Sequence, residues 1–307
     1  MRASVTVRVP GSTSNLGAGF DCIGVAVERW LTLTARAAEQ PAGGPVTLER
    51  RGTLSTLTAA PEHDLLYRGF VQACRAARRA VPPTVVLSAE SSIPVARGLG
   101  SSAAAAVAGA VAATALLELD LSKDALTTLC TELESHPDNV APAIYGGANL
   151  VLREPWGGLS VTPLPIHASL ALVFAVPDFT LETTQARAVL PQTVPHARAV
   201  EAAARSAALV HGLAHGEPRL LASGLDDVLH VPYRRSLVRG YDAVVMAARA
   251  AGAFGATLSG SGPTLVAVAP HPHAGTVGEG MVRAWRSLGV VAESFHLAGP
   301  VAGYEVV

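Results

Sequence analysis

"IPVARGLGSSAAAAVAGAVAA", Ile93 to Ala113, joins a loop carrying an arginine, glycines at 98 and 100 and serines at 101 and 102 to an apolar run of small side chains. The run predicts a helix from about Ser101 to Glu118, and its apolar part, Ala103 to Leu117, is short of the roughly 18 apolar residues of a membrane span and therefore a buried helix. The first turn of any helix presents unpaired N–H groups and about half a positive charge. A loop of further N–H groups ahead of it makes an anion cradle. Gly98 and Gly100 can take positive φ and let the backbone approach a phosphate with no Cβ in the way. Ser101 and Ser102 add hydroxyls, one predicted as the helix cap and one left to meet phosphate or its metal. The alanines behind them pack closely and hold the cradle in place. Other readings compete for the same stretch. A glycine turn before an alanine-rich helix is an ordinary element of many folds that bind nothing. Gly98, Gly100 and Ala103 also satisfy G-x-G-x-x-A, with Glu118 twenty residues past Gly98 as a dinucleotide fold requires. That context fails, because the preceding strand is predicted to end near Ser88 and Glu118 falls at a helix end.

The chain of 307 residues exceeds the usual span of one domain and predicts two packed units. Half the residues are hydrophobic and 15% charged, so burial is not the difficulty. A net charge of -1 gives no general attraction to nucleic acid or to a membrane surface, and any bound anion must be held by local geometry. The start, "MRASVTVRVP", alternates as a strand and lacks the apolar stretch of a secretory signal, so a cytoplasmic protein is expected. Cys22, Cys74 and Cys130 are far apart and form no C-x-x-C pair, which supports neither a disulfide framework nor a zinc ribbon and leaves small buried side chains. Lys123 is the only lysine and sits at a polar helix start, so a lysine mechanism has no good candidate. Neither G-x-x-x-x-G-K-[ST] nor G-x-S-x-G occurs, which removes P-loop NTPases and the usual nucleophile elbow.

Periodicity predicts strands at 4–9, 25–35, 84–88, 149–153 and 169–176, and a strand, glycine turn and strand around "LSGSGPT". Helical spacing covers 63–79, 122–134, 196–215, 241–251 and 274–288. Pro10 to Asp21, Gln40 to Gly44 and Arg50 to Pro61 are predicted as loops, and "EPWGG" as a turn. The irregular order, with hairpin signals, predicts an α+β fold rather than a doubly wound parallel sheet.

Other groups could carry chemistry. "SHPDNVAP" sets His136, Asp138 and Asn139 behind a helix ending in Glu132 and Glu134, and either glutamate facing the cradle could complete a sparse Mg2+ site with a serine hydroxyl and phosphate oxygens. Read blandly, both are solvated helix charges. Asn15 and Asp21 flank Gly17 and Gly19 in "STSNLGAGFD", able to hold a polar ligand or simply to turn. Arg187 in "TTQAR" and Arg234 in "HVPYR" bring guanidinium forks, suited to carboxylates, into sparsely charged surroundings. His211 and His215 have metal-ligand spacing without a third ligand and read as a solvated face, as do His271 and His273.

"PGSTSNLGAGFD", "PVARGLGSSAA" and "LSGSGPT", in this order, resemble the GHMP small-molecule kinases over essentially the whole chain. "HPDNVAPAIYGG", with Thr183, Arg187 and the "PYR" ending at Arg234, is similar to the branch of that superfamily that phosphorylates homoserine. The resemblance implies ATP-dependent phosphorylation of the L-homoserine hydroxyl to O-phospho-L-homoserine, on the route to threonine. It further implies a two-domain α+β fold, an ATP-binding unit over 1–160 and a second over 161–307, with the active site in the interdomain cleft, and a homodimer. Pro94, Val95, Ala96, Arg97, Gly98, Leu99, Gly100, Ser101, Ser102, Ala103 and Ala104 would then bind the nucleotide, and Ser102 and Glu134 would hold Mg2+. Asn15, Asp21, His136, Asn139, Arg187 and Arg234 would surround homoserine, the arginines taking its carboxylate and Asp21 its ammonium. Asn139, Thr183 and Arg187 are the implied catalytic set. Because Asn139 stands where related kinases have an aspartate, the resemblance implies direct passage of the hydroxyl proton to phosphate, with Asp138 as the alternative base. Val231 and Thr264 depart from the family's frequent acidic residue and serine, and Glu132 competes with Glu134 for the metal.

Three rival functions remain at this level. Another small-alcohol kinase of the same superfamily would turn over a different alcohol faster, and a non-catalytic amino-acid-binding protein would bind homoserine without ATP. A nicotinamide dehydrogenase rests only on the dinucleotide-like spacing and would bind NAD.

Overall fold

The computed structural model describes residues 2–38, 45–155 and 157–307; the Gln40–Gly44 loop and Trp156 of "EPWGG" lie outside them. Strands and helices segregate into two sheets with helical layers, an α+β architecture. The first sheet holds β1 (Val5–Asn15), β2 (Gly19–Ala38), β3 (Val46–Gly52), β4 (Thr84–Ser91), β5 (Ala148–Arg153), β6 (Leu159–Pro163) and β11 (Glu305–Val306), ordered β11-β1-β2-β4-β3 with β5 paired to β2 and β6 to β5. The second is an antiparallel sheet ordered β10 (Ala292–Leu297), β7 (Leu170–Pro177), β9 (Leu265–Pro270), β8 (Gly255–Leu258).

Helices α1 (Leu65–Ala76), α2 (Ser101–Leu117), α3 (Lys123–Glu134) and α4 (Val140–Tyr145) accompany the first sheet. α5 (Thr183–Ala188), α6 (His196–His215), α7 (Pro218–Leu225), α8 (Val231–Arg234), α9 (Tyr241–Ala250) and α10 (Ala274–Ser287) follow β7 in the chain. α2 is buried on every side, as expected of a helix apolar all round. It also seats directly on α1. A Cβ on Gly69 would stand 2.2 Å from the Ala106 carbonyl oxygen, and one on Gly109 1.9 Å from that of Leu66. The apolar run of β7 has a similar cause. Leu170, Leu172, Phe174 and Val176 face the core shared with the first sheet, while Ala171, Val173 and Ala175 face a second core of α9 and α10 that contains Trp285 and Met281. A strand buried on both faces needs no alternation.

Two expected loops are corrected. Pro10 to Asp21 is mostly strand: β1 runs on to Asn15 and β2 begins at Gly19, with register shifts at Pro10/Gly11 and Ser14/Asn15. Ser12, Thr13 and Ser14 hide this by being small and polar, yet they are fully buried. Arg50 to Pro61 begins inside β3, which pairs in parallel with β4. β3 is an edge strand, where charged side chains are tolerated; Arg51 reaches Glu49, and Arg50 reaches Asp64 at the start of α1.

Candidate active site

A cleft of about 360 Å³ opens between the loops of the two sheets. Its apolar end is walled by Leu54, Leu57, Leu65 and Leu66 beside His63 and Asp64. Asp64 is already engaged there: its carboxylate accepts from Leu66 N at 2.9 Å as the α1 cap and pairs with Arg50 at 2.7 Å.

Along the cleft runs the loop Pro94–Gly100, and α2 starts immediately after it. Neither serine caps this helix. Gly100, left-handed at φ 69°, is the N-cap, and the first intrahelical bond is Ala104 N to Gly100 O, 2.9 Å. Ala104 is thereby removed from the expected nucleotide contacts, since its N–H is engaged and its side chain fully buried. By contrast, the N–H groups of Gly98, Gly100, Ser101, Ser102 and Ala103 have no hydrogen-bond partner among the described residues. They form the cradle.

The two glycines are required for a reason other than the ligand's approach. A Cβ on Gly98 would lie 2.2 Å from Ser259 O, and one on Gly100 2.0 Å from Ser12 Oγ. Three loops close on one another there. Ser259 Oγ donates to Gly98 O at 2.6 Å, Ser12 N to Leu99 O at 3.0 Å, and Leu181 N to Ala96 O at 3.0 Å. Arg97 belongs to the same clamp: its guanidinium donates to the Pro177 and Asp178 carbonyls at 2.6 and 2.7 Å, so it ties the loop to the second sheet instead of reaching into the cradle. Pro94, Val95 and Leu99 line the cleft, whereas Ala103 is buried and can offer only its backbone.

Ser102 Oγ donates to Glu134 Oε2 at 2.6 Å, joining the first turn of α2 to the last of α3. Burial holds the Glu134 carboxyl above the usual carboxylate range, with the Ser102 hydrogen bond and His136 acting the other way. Glu132, the competing ligand, is exposed beside Gln72.

Asn139 is gripped on both sides. Ser12 Oγ donates to its Oδ1 at 2.9 Å, and its Nδ2 donates to Ser14 Oγ at 3.0 Å, which fixes the amide's orientation. An amide is not basic enough to take up a proton from a hydroxyl. Beside it Asp138, 2% exposed, has an Oδ1 with no hydrogen bond; His136 Nδ1 stands 3.4 Å away, an ion-pair contact that is not aligned as a hydrogen bond. Burial pulls the His136 pKa down, and Asp138 more than offsets it, leaving the ring easier to protonate than usual.

The sequence set Arg187 and Arg234 in sparsely charged surroundings; the structure gives Arg187 an acidic partner and buries Arg234. Arg187 grips Asp21 with two hydrogen bonds, 2.8 and 3.2 Å. Arg234 is 1% exposed, donating through Nε to Ala186 O at 2.9 Å, and burial followed by the nearby Arg187 lowers its pKa to about 10. Asn15 is a strut: Nδ2 donates to Gly260 O at 2.7 Å and Oδ1 accepts from Asp21 N at 3.0 Å, so it aims Asp21 from beneath. Thr183 lies at the cleft with Oγ1 3.4 Å from Ser261 Oγ. The sequence marks the stretches that hold Ser12, Ser14 and Ser259 but gives these serines no role, because their partners are more than a hundred residues away. His211 and His215 lie against each other with ring centroids 4.3 Å apart and planes tilted by 38°, and no metal-binding group of three or more His, Cys, Asp or Glu occurs among the described residues.

Comparison with known proteins agrees with this geometry. The family model of the GHMP kinases N terminal domain matches residues 65–147, and that of the GHMP kinases C terminal matches 209–287. The homoserine kinase of Trichormus variabilis is 41% identical over 290 residues, 94% of each chain, and that of Picosynechococcus sp. gives the same figures. The crystal structure of homoserine kinase from Cytophaga hutchinsonii superposes with a TM-score of 0.89 at 27% identity, covering 100% of this chain and 98% of that one. With full-length coverage, shared fold and one cleft that gathers the motifs of both matched regions, the chain belongs to the homoserine kinase family of the GHMP kinases.

Proposed function

We propose that the protein transfers the γ-phosphoryl group of ATP to the side-chain hydroxyl of L-homoserine, giving O-phospho-L-homoserine for threonine biosynthesis. The observation that carries this reading is the pairing, within one cleft, of a cradle of unpartnered N–H groups with the Asp21–Arg187 ion pair. The cradle suits a polyphosphate. The ion pair sets a cation and an anion side by side, so a zwitterionic amino acid can lay its carboxylate toward Arg187 and Arg234 and its ammonium toward Asp21.

Phosphoryl transfer asks mainly for positioning and charge stabilisation. Asn139, locked by Ser12 and Ser14, orients the attacking hydroxyl, and its proton passes directly to the phosphoryl group. Asp138 balances the charge of both arginines. Thr183, at the cleft beside Ser261, is assigned to the neighbourhood of the transferred group. The pair Ser102 Oγ and Glu134 Oε2 consists of hard oxygens at one point beside the cradle and fits Mg2+, which takes few protein ligands and keeps waters and phosphate oxygens. When bound, that ion would neutralise charge developing on the phosphates. The family reading adds two further expectations, a homodimer, checked by sedimentation equilibrium, and a cytoplasmic location; among the described residues no helix is long and apolar enough to cross a membrane.

Incubation with ATP, Mg2+ and homoserine, threonine, shikimate or mevalonate separately tests the reading. Homoserine gives the fastest ADP release. Faster turnover of another alcohol would move the activity within the superfamily, and homoserine binding without ATP affinity would make the protein a sensor.

A further inference from the structure

His230 lies outside the residues assigned to substrate, yet it stands behind one of them. Its side chain is fully buried, and both ring nitrogens are engaged. Nε2 is 3.1 Å from the Gly17 carbonyl oxygen, which can only accept, so Nε2 carries the proton. Nδ1 is 3.3 Å from Arg234 Nη1, which can only donate, so Nδ1 presents its lone pair. One tautomer of a neutral imidazole satisfies both contacts. Asp227 does not compete for the ring: its Oδ2 stands 3.7 Å from Nε2 and accepts from the backbone N–H groups of His230 and Val231 at 2.6 and 2.8 Å. Burial, reinforced by Arg234 and opposed by Asp227, drives the pKa of His230 down to about 4, which agrees with the geometric assignment.

The contacts extend outward. Phe20 stacks on the His230 ring at 4.7 Å with planes 17° apart, and the Arg234 guanidinium lies 5.1 Å from the centre of Phe20. Arg234 also donates to Ala186, the neighbour of Arg187 on α5. Its Nη2 has no hydrogen bond among the described residues, and Arg234 lines the cleft. Two of its three nitrogens are thus held by Ala186 and His230, leaving one for a ligand. The grip on Gly17 connects this arrangement to the tip of the first hairpin, whose Asp21 holds Arg187.

We propose that His230 is a positioning residue for recognition of the substrate's carboxylate: a neutral imidazole that accepts from Arg234 and aims its remaining nitrogen into the cleft. The inference rests on the homoserine reading above and deepens it, since it predicts that His230 matters only for alcohols bearing a carboxylate.

The test compares His230→Leu, which keeps the volume and removes both contacts, with His230→Asn, which keeps an acceptor near the place of Nδ1. Each is assayed with homoserine and with 3-aminopropan-1-ol, which lacks the carboxylate. His230→Leu raises KM for homoserine by about 30-fold, the loss of one hydrogen bond to a charged group, with kcat and KM for ATP changed less than about threefold. His230→Asn recovers most of that loss, and kcat/KM for 3-aminopropan-1-ol is the same in parent and variants. Should His230→Leu fail to fold, His230→Gln, which keeps the donor toward Gly17 instead, takes its place and shows the higher KM of the pair. An unmoved homoserine KM, an equal fall for the alcohol without carboxylate, or equal KM values for Asn and Gln overturns the inference while leaving the function intact. No homoserine turnover by the parent enzyme overturns both.

Discussion

Glu134→Gln lowers kcat by about 10²–10³-fold at fixed Mg2+, the range found when one preorganised electrostatic contact to a transferring group is removed. Gln is nearly isosteric, so the Ser102 hydroxyl, 2.6 Å from Oε2, keeps an acceptor and α3 keeps its seat on α2. Only the negative charge goes. The loss therefore appears in the Mg2+ dependence, measured as rate against free Mg2+ at saturating ATP and homoserine, with a thermal midpoint near that of the parent. Glu132→Gln is the control, because this carboxylate is exposed beside Gln72 on the outer side of the same helix. Equal losses from both substitutions would mean that the metal is held elsewhere.

Gly98→Ala raises KM for ATP by about 100-fold, because a displacement of order 1 Å at a positioning element has that cost. The new methyl would meet Ser259 O at 2.2 Å at a residue already at φ +73°, a conformation that L side chains rarely adopt. Backbone occupies both sides of the contact, so no flexible group can yield. The loop must leave Ser259, and its amides lose their common direction. Gly275→Ala, in α10 with nothing within 4 Å of the added carbon, gains helix propensity and leaves both KM values unchanged. Nucleotide titration of both variants, followed by ADP release, separates a displaced cradle from a general loss of stability.

Much of this site could be read from the chain because its signals are local. The helix start at Ser101, the glycines before it and His136, Asp138 and Asn139 of "HPDN" are set by neighbours in sequence, and the structure gathers them in one cleft. What could not be read depends on distant partners. "PGSTSNLGAGFD" resembles a loop in composition, yet Ser12, Thr13 and Ser14 are strand residues whose hydroxyls meet Asn139 and Ser259. Val46–Gly52 carries three charges in seven residues and gives no apolar alternation, since an edge strand has only part of one face to hide. Arg97 reads as a phosphate ligand by position and is a structural tie by geometry, and no spacing rule separates the two. Arg187 and Asp21, 166 residues apart, could be named singly as ligands, but only folding shows them holding each other before any ligand arrives.

The seating of α1 on α2 through Gly69 and Gly109 has a metric consequence. α1 begins with Leu65 and Leu66 at the apolar end of the cleft, and α2 begins with the amides of Ser101 and Ser102. With backbone resting on backbone, neither helix can slide without a clash, so the distance from Leu65 and Leu66 to the amides of Ser101 and Ser102 is set by the fold. The pair is a caliper whose opening along the cleft wall stays the same whatever the cleft holds.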